Sequence, residues 1–154
     1  MGLDITHETW HGSYSSFHRW RQEIAKVAGL PPLEMMEGFY EDNGSESPFC
    51  LLDYRFPNGD KLEMSHIRKW RQQLPIKWQC LRPNALYILL QHSDCDGYIN
   101  WRDCKKIALE LTKLLDKLSD EEVGGHIGNY KTKTTIFIDG LLRAYDKKER
   151  LIFR

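Results

Sequence analysis

The sequence has no excess of charge of either sign, because its 22 Lys and Arg residues match its 22 Asp and Glu residues. Proteins that coat duplex nucleic acid use a cationic surface that releases counterions. General nucleic-acid binding is therefore not expected, although a balanced chain can still carry a local basic patch. The sequence also lacks any apolar run long enough to span a bilayer and any segment resembling a secretory signal. We therefore expect no membrane partner.

Redox and catalytic signatures are also missing. The four cysteines form no C-x-x-C pair, and they lie at Cys50, Cys80, Cys95 and Cys104. Free thiols in a reducing cytoplasm are the expected state. The chain contains no phosphate-binding glycine loop, no dinucleotide-binding glycine turn and no H-E-x-x-H segment. No enzyme class is indicated, and a non-catalytic role is favoured.

Helical periodicity is the main positive signal, since apolar residues recur at steps of three and four in several segments. The predicted helices span 13–28, 65–74, 83–91, 101–118 and 129–145. The predicted extended segments span 49–56, 61–64 and 151–153, and the first two are joined as a hairpin by a turn at 57–60. The length suits one core. The sequence predicts an α+β fold, predominantly α, as a single domain of residues 1–154 with an EF-hand-like helix–loop–helix and a short β-hairpin.

The segment 92–103 has the spacing of a calcium-binding loop. Such a loop places ligands at positions one, three, five and twelve, with glycine at six for a sharp bend, and Gly97 holds that sixth position. The predicted metal ligands are His92, Asp94, Asp96, Tyr98 and Asp103. Imidazole is a poor first ligand for a hard cation, and aspartate is shorter than the usual final glutamate. The predicted cofactor is therefore a weakly held Ca²⁺ or Mg²⁺.

Two other interpretations of this segment remain open. In the first, no metal binds, Asn100 and Asp103 cap the following helix, and Gly97 only permits the turn. The carboxylates of Asp94 and Asp96 then accept hydrogen bonds from backbone amides. In the second, zinc binds through a histidine and two cysteines, but this spacing matches no common zinc module.

A second cluster of polar and aromatic side chains occupies residues 7–21. Gly12 and Ser13 lead directly into a predicted helix, whose free amides and dipole favour an anion. Arginine adds a forked donor for phosphate or carboxylate, and aromatic rings can stack on a base or sugar. With one histidine from a later helix start, the predicted ligand-binding residues are Trp10, His11, Ser13, Tyr14, His18, Arg21 and His126.

The same segment also has a purely structural interpretation. Tyr14, Phe17 and Trp20 fit one buried face of a helix, Ser13 fits a helix cap, and the arginines fit a solvated face. For each single residue this interpretation is the stronger one. The cluster as a whole favours a binding site because His11 and His18 bracket the helix start.

Three stretches of the chain resemble a group of small bacterial and phage proteins without an assigned activity. These are Trp10–Arg21, His92–Gly97 and Gly125–Asn129, the last leading to Phe137–Leu141. The resemblance covers most of the chain, so it implies a single domain and a prokaryotic cytoplasmic setting. It implies no activity, ligand or site.

Three functions follow as hypotheses. The first is a binding protein for a small anionic, nucleotide-like ligand held by the residue 10–21 segment and His126. The second is a metal-dependent phosphoester hydrolase in which the loop cation activates water. The third is a non-catalytic structural or interaction protein whose loop is a metal-free connector between helices.

Overall fold

A computed structural model describes residues 2–40, 61, 75–81 and 84–154 of the chain. The α-helices of this part are α1 (Tyr14–Val27), α2 (Leu86–Gln91), α3 (Trp101–Leu114) and α4 (Tyr130–Lys147). The strands are β1 (Leu3–Ile5), β2 (Trp10–Gly12), β3 (Tyr98–Ile99) and β4 (Leu151–Ile152), and short 3₁₀ turns occupy Leu33–Met35, Trp78–Leu81 and Leu115–Lys117. This confirms a mainly helical α+β architecture. Within the described ranges, no helix is both long and apolar enough to cross a membrane.

The three long helices begin where a polar side chain accepts a hydrogen bond from the first turn. Ser13 precedes α1 and accepts from the Ser16 amide, Asn100 precedes α3, and Asn129 precedes α4. Such caps satisfy amides that have no intrahelical acceptor. Past the end of α1, Gly29 takes a left-handed φ of 70°, a conformation that costs glycine little.

An aromatic cluster forms the centre of the hydrophobic core. Phe17 lies within 5.1–6.4 Å, ring centre to ring centre, of the rings of Trp10, Trp20, Phe137 and Phe153. These five side chains come from β2, α1, α4 and the carboxyl-terminal segment, so the cluster joins the two ends of the chain. Full burial of one such ring contributes roughly 1.5–3 kcal/mol. α3 and α4 pack along each other beside this cluster.

The carboxyl-terminal segment connects two small antiparallel sheets. β1 pairs with β2, and β3 pairs with β4. Phe153 also forms an antiparallel bridge to Ile5, so residues 151–154 lie between β1 and β3. Alternate residues face the core, as a one-sided sheet requires. The buried residues are Leu3, Ile5, Trp10, Ile99, Leu151 and Phe153, and the exposed ones are Asp4, His11, Tyr98 and Ile152.

Several sequence predictions change in detail. The hairpin predicted at 49–64 and the helix predicted at 65–74 lie outside the described residues. The helix predicted from residue 83 begins at Leu86 instead, where the Asn84 side chain accepts a hydrogen bond from the Leu86 amide at 3.0 Å. The β1–β2 hairpin was not predicted. Its turn uses His7 and Glu8 at left-handed φ of 61° and 56°, where glycine or asparagine is the usual signal.

Candidate functional site

The polar groups at the start of α1 form one cluster, which we call the amino-end cluster. Its members are Ser13, Ser15, Ser16, His126 and Lys133. The Ser13 hydroxyl accepts from the Ser16 amide at 3.1 Å and lies 3.1 and 2.8 Å from the hydroxyls of Ser15 and Ser16. The amides of Tyr14 and Ser15 lie in the first turn, where no intrahelical acceptor exists. A helix start of this kind carries partial positive charge.

His126 is held against this helix start by a backbone hydrogen bond. The Ser13 amide donates to His126 Nδ1 at 2.9 Å. Because Nδ1 accepts, the neutral ring carries its proton on Nε2, which is then a donor on an exposed side chain. Gly12 permits this close approach, since a Cβ at that position would lie 2.8 Å from His126 Cβ. The glycine before α1 therefore positions a histidine that is remote in sequence.

Lys133, from α4, supplies a cation that lies against β2. Its ammonium nitrogen lies 4.2 Å from the centre of the Trp10 ring and 3.5 Å from the His11 carbonyl oxygen. Burial lowers the pKa of the Lys133 ammonium. A half-buried cation against an aromatic face is poorly solvated, which strengthens its attraction for an anion.

Two other predicted ligand residues lie at the edge of this cluster. Tyr14 is the first residue of α1, is partly exposed and packs against the core. The His11 side chain is 88% exposed and points to the open face of the sheet, where Nδ1 lies 3.8 Å from Asp4 Oδ1. Only the backbone carbonyl of His11 contacts the cluster, through Lys133.

The remaining predicted ligand residues are elsewhere, and their assignment is corrected. Trp10 is 2% exposed and packs on Phe17 and Trp20, so it belongs to the core and offers no stacking face to a ligand. The His18 ring stacks on the Phe39 ring with 5.7 Å between ring centres, and His18 Nε2 lies 3.8 Å from Glu34 Oε1. One helical turn does separate His18 from Arg21, but they form no common binding face because Arg21 is buried.

Arg21 donates hydrogen bonds to backbone carbonyls at the start of the acidic loop, residues 92–103. Its Nη1 donates to the carbonyl oxygens of Leu90 at 3.1 Å and His92 at 2.7 Å, at the carboxyl end of α2. Burial lowers the pKa of Arg21 to about 10, opposed by the nearby Asp94 carboxylate. The guanidinium therefore remains charged at neutral pH, and it satisfies carbonyls that the helix end leaves free. Arg21 is a structural cap rather than a ligand donor.

The His92 ring lies inside the acidic loop. Its Nδ1 is 2.8 Å from the Ser93 carbonyl oxygen, its Nε2 is 3.1 Å from the Tyr98 carbonyl oxygen, and its ring stacks on Phe153 at 4.0 Å. The Gly97 backbone, with a left-handed φ of 88°, passes beside this ring. A cation that bound the Tyr98 carbonyl oxygen would therefore lie next to the His92 ring.

The other predicted metal ligands do not converge on one point. Asp94 is partly exposed, Asp96 is exposed, and Asp103 lies 3.6 Å from Lys106. Asn100 caps α3 by accepting from the Arg102 amide at 2.9 Å. The part of the chain that the structure describes contains no group of three or more His, Cys, Asp or Glu side chains placed to hold a metal. Calcium or magnesium binding stays a prediction, as does the hydrolase that depends on it.

The zinc alternative gains no support from the cysteines. Cys95 is exposed, whereas Cys104 is completely buried on α3. Burial, and to a smaller degree the Asp103 carboxylate, raise the pKa of the Cys104 thiol to about 12. The exposed Cys95 and the buried Cys104 are therefore in different environments, and zinc binding stays a prediction.

Sequence reasoning missed Lys133 and the role of Gly12. Lys133 lies in a predicted helix among several lysines, so only its packing on Trp10 distinguishes it. The helix start at Asn129 was the available signal, since Lys133 lies one turn later and its long side chain can extend back to the β1–β2 sheet.

Comparison of the chain with protein families, curated proteins and solved structures finds no match. The resemblance to bacterial and phage proteins therefore stays a prediction.

Proposed function

We propose that the protein binds a small anionic ligand at the amino-end cluster. The observation that carries this proposal is the hydrogen bond from the Ser13 amide to His126 Nδ1, which fixes an exposed Nε2–H donor beside the start of α1. The amides of Tyr14 and Ser15 and the ammonium of Lys133 supply further donors and positive charge. Phosphate and carboxylate groups accept hydrogen bonds from such sets.

The proposed ligand is small because the donors come from a short stretch of surface. Trp10 is unavailable for stacking, so any nucleotide-like preference would depend on Tyr14, whose partly exposed ring lies at the start of α1. Inorganic phosphate is the minimal probe of the site, and adenosine monophosphate tests whether a base adds affinity.

Thermal unfolding with these two probes tests the proposal. A ligand that binds only the folded state raises the melting temperature, and the rise grows with the logarithm of the ligand concentration once that concentration exceeds the Kd. The rise should be lost in His126→Ala and in Lys133→Met, which removes the charge but keeps an apolar side chain on Trp10. Lys131→Met, an exposed lysine of the same helix turn, is the matched control and should keep the rise. If Lys133→Met and Lys131→Met show the same ligand-dependent rise in melting temperature, the ligand does not bind at the amino-end cluster.

We also infer that residues 86–114 form an EF-hand-like helix–loop–helix that acts as a connector. The supporting observations are the order α2, loop, α3, the bend at Gly97 and the two-residue β3 in the second half of the loop. His92 and Arg21 occupy loop carbonyls, which favours the metal-free form of this motif. This second candidate function assigns the loop a structural role beside the binding function.

Calorimetric titration with calcium and magnesium separates the two forms of the loop. Heat of binding in the wild type that disappears in Asp94→Asn and Asp96→Asn would establish the metal-binding form. An absence of heat, together with unchanged stability in both variants, would support the metal-free connector. The anion test is unaffected by either result, since its variants lie in a different cluster.

A further inference from the structure

An exposed surface at the β3 edge of the sheet combines aromatic rings with basic side chains. We call it the aromatic–basic surface, and its members are Tyr98, Trp101, Arg102, Lys105, Tyr145 and Arg150. The amino-end cluster lies beside β2 instead, at the other end of the strand arrangement. The two features are therefore separate, and this inference does not depend on the proposed anion site.

Chain connectivity brings these residues together. β3 ends at Ile99 and α3 begins at Trp101, while α4 ends at Lys147 and β4 begins at Leu151. Because β3 pairs with β4 and α3 packs against α4, the start of α3 meets the end of α4. The rings of Trp101 and Tyr145 are accordingly 5.7 Å apart, centre to centre.

Each ring of this surface has a cation at its face. Arg150 Cζ lies 4.2 Å from the Tyr98 ring centre, Arg102 Cζ lies 4.8 Å from Trp101, and Lys105 Nζ lies 4.7 Å from Tyr145. Three cation–ring pairs therefore lie at one end of the molecule. Tyr98 is 50% exposed, and its cross-strand partner Ile152 is 42% exposed.

The surface is basic although the chain as a whole is neutral. Residues 98–106 and 145–150 contain six basic and three acidic residues. Six basic minus three acidic residues leave a formal net charge of +3 in these two segments, although Asp103 lies 3.6 Å from Lys106 and Glu149 lies 3.5 Å from His7 Nε2. The third acid, Asp146, is exposed on α4. The net positive charge of these two segments is complementary to a polyanion.

We propose that the aromatic–basic surface binds single-stranded nucleic acid. Unpaired bases expose their faces and stack on aromatic side chains or on arginine planes, while the adjacent cations contact phosphates. A duplex hides its base faces, so it would use only the charges. An acidic polypeptide would likewise use the charges and leave the ring planes without a stacking partner. The combination of rings and guanidinium groups therefore favours a single strand.

Fluorescence anisotropy with a labelled oligothymidine of about 15 nucleotides tests this surface. The wild type should bind, and its affinity should fall as potassium chloride is raised from about 50 to 200 mM. Arg102→Gln combined with Arg150→Gln should weaken binding by at least about tenfold because two phosphate contacts are lost. Tyr98→Leu should weaken it roughly 5- to 100-fold through loss of stacking.

Lys113→Gln is the matched control, because Lys113 is an exposed lysine of α3 that lies outside the surface and pairs with Glu110 at 3.0 Å. It should leave binding within about twofold. Circular dichroism checks that the variants fold. If Tyr98→Leu does not fold, the double variant of the exposed residues Arg102 and Arg150 still tests the surface. The proposal is overturned by a lack of binding at low salt. It is also overturned if Lys113→Gln equals the arginine pair, or if duplex or polyglutamate competes as well as the single strand.

Discussion

The amino-end cluster and the acidic loop both contain a histidine and small polar side chains, but the contacts of these groups differ. In the acidic loop both ring nitrogens of His92 lie on loop carbonyls, and Arg21 covers the carbonyls at the end of α2. In the amino-end cluster only Nδ1 of His126 is occupied, and the first amides of α1 have no intrahelical acceptor.

We therefore expect the number of unoccupied donors, rather than the number of polar residues, to distinguish a binding surface from a structural one. Buried polar groups are nearly always paired within the protein. The polar groups of a motif that resembles a ligand site can therefore already be hydrogen-bonded within the protein. The predictions below test whether each region behaves as this comparison requires.

The largest effect is expected for Arg21→Ala. The substitution leaves several carbonyls at the end of α2 without a donor and removes a buried side chain. We expect the free energy of unfolding to fall by about 2–4 kcal/mol, as measured by urea denaturation. Arg19→Ala, an exposed arginine of the same helix, should change it by less than about 0.5 kcal/mol. If both variants lose the same small amount of unfolding free energy, Arg21 does not stabilise the end of α2.

Gly12→Ala tests the contact between the strand and His126. The added methyl group would lie 2.8 Å from His126 Cβ, so the histidine must move and the phosphate-dependent rise in melting temperature should disappear. We expect a stability loss of roughly 1–3 kcal/mol from overpacking. In a His126→Gly background the same change should cost clearly less, since coupled neighbours are not additive. Additive costs in the double-mutant cycle would contradict the contact.

Thiol reactivity separates the open side of the acidic loop from the core beneath it. In a Cys50→Ser, Cys80→Ser background, Cys95 should react readily with an aromatic disulfide at pH 8. Cys104 should react at least about tenfold more slowly, because its thiol is buried and its pKa is raised to about 12. Since the raised pKa holds the folded thiol protonated, this protection is present at pH 8 and is lost only as the pH rises toward 12. Equal rates would show that Cys104 is accessible.

His92→Phe has the smallest expected effect. Phenylalanine keeps a ring on Phe153 but removes both nitrogen contacts to the Ser93 and Tyr98 carbonyls. The loop is partly exposed, so water can replace these contacts, and we expect a loss of about 1 kcal/mol. Phosphate binding at the amino-end cluster should be unchanged. A loss of phosphate binding in His92→Phe would instead place the ligand at the loop.

The helical part of the fold could be predicted because its signals are local. The steps of three and four in α1, α3 and α4, and the capping residues Ser13 and Asn100, are visible in the sequence. β1, β2 and β3 are only two or three residues long, and the turn at His7 and Glu8 lacks the usual glycine. Such short strands exist because residues 151–154 pair between them, which is a contact between the ends of the chain that no local pattern encodes.

The candidate site could be predicted only in part for the same reason. Ser13 and His126 were identified by their positions at helix starts, and the structure brings them within hydrogen-bond distance. Lys133 was missed because its importance comes from packing on Trp10. Arg21 was assigned to the ligand because arginine is a forked donor for phosphate or carboxylate, and nothing near it in sequence indicates that its partners are the carbonyls of α2.

The most direct test of the account is an NMR titration of the isotope-labelled protein with inorganic phosphate. We predict that the amide signals of Tyr14 and Ser15 and the ring signals of His126 shift in a saturable way, while the amide signals of residues 94–97 do not change. Shifts confined to residues 94–97, or no saturable shift at the start of α1, would contradict the claim that the unoccupied donors lie at the amino-end cluster.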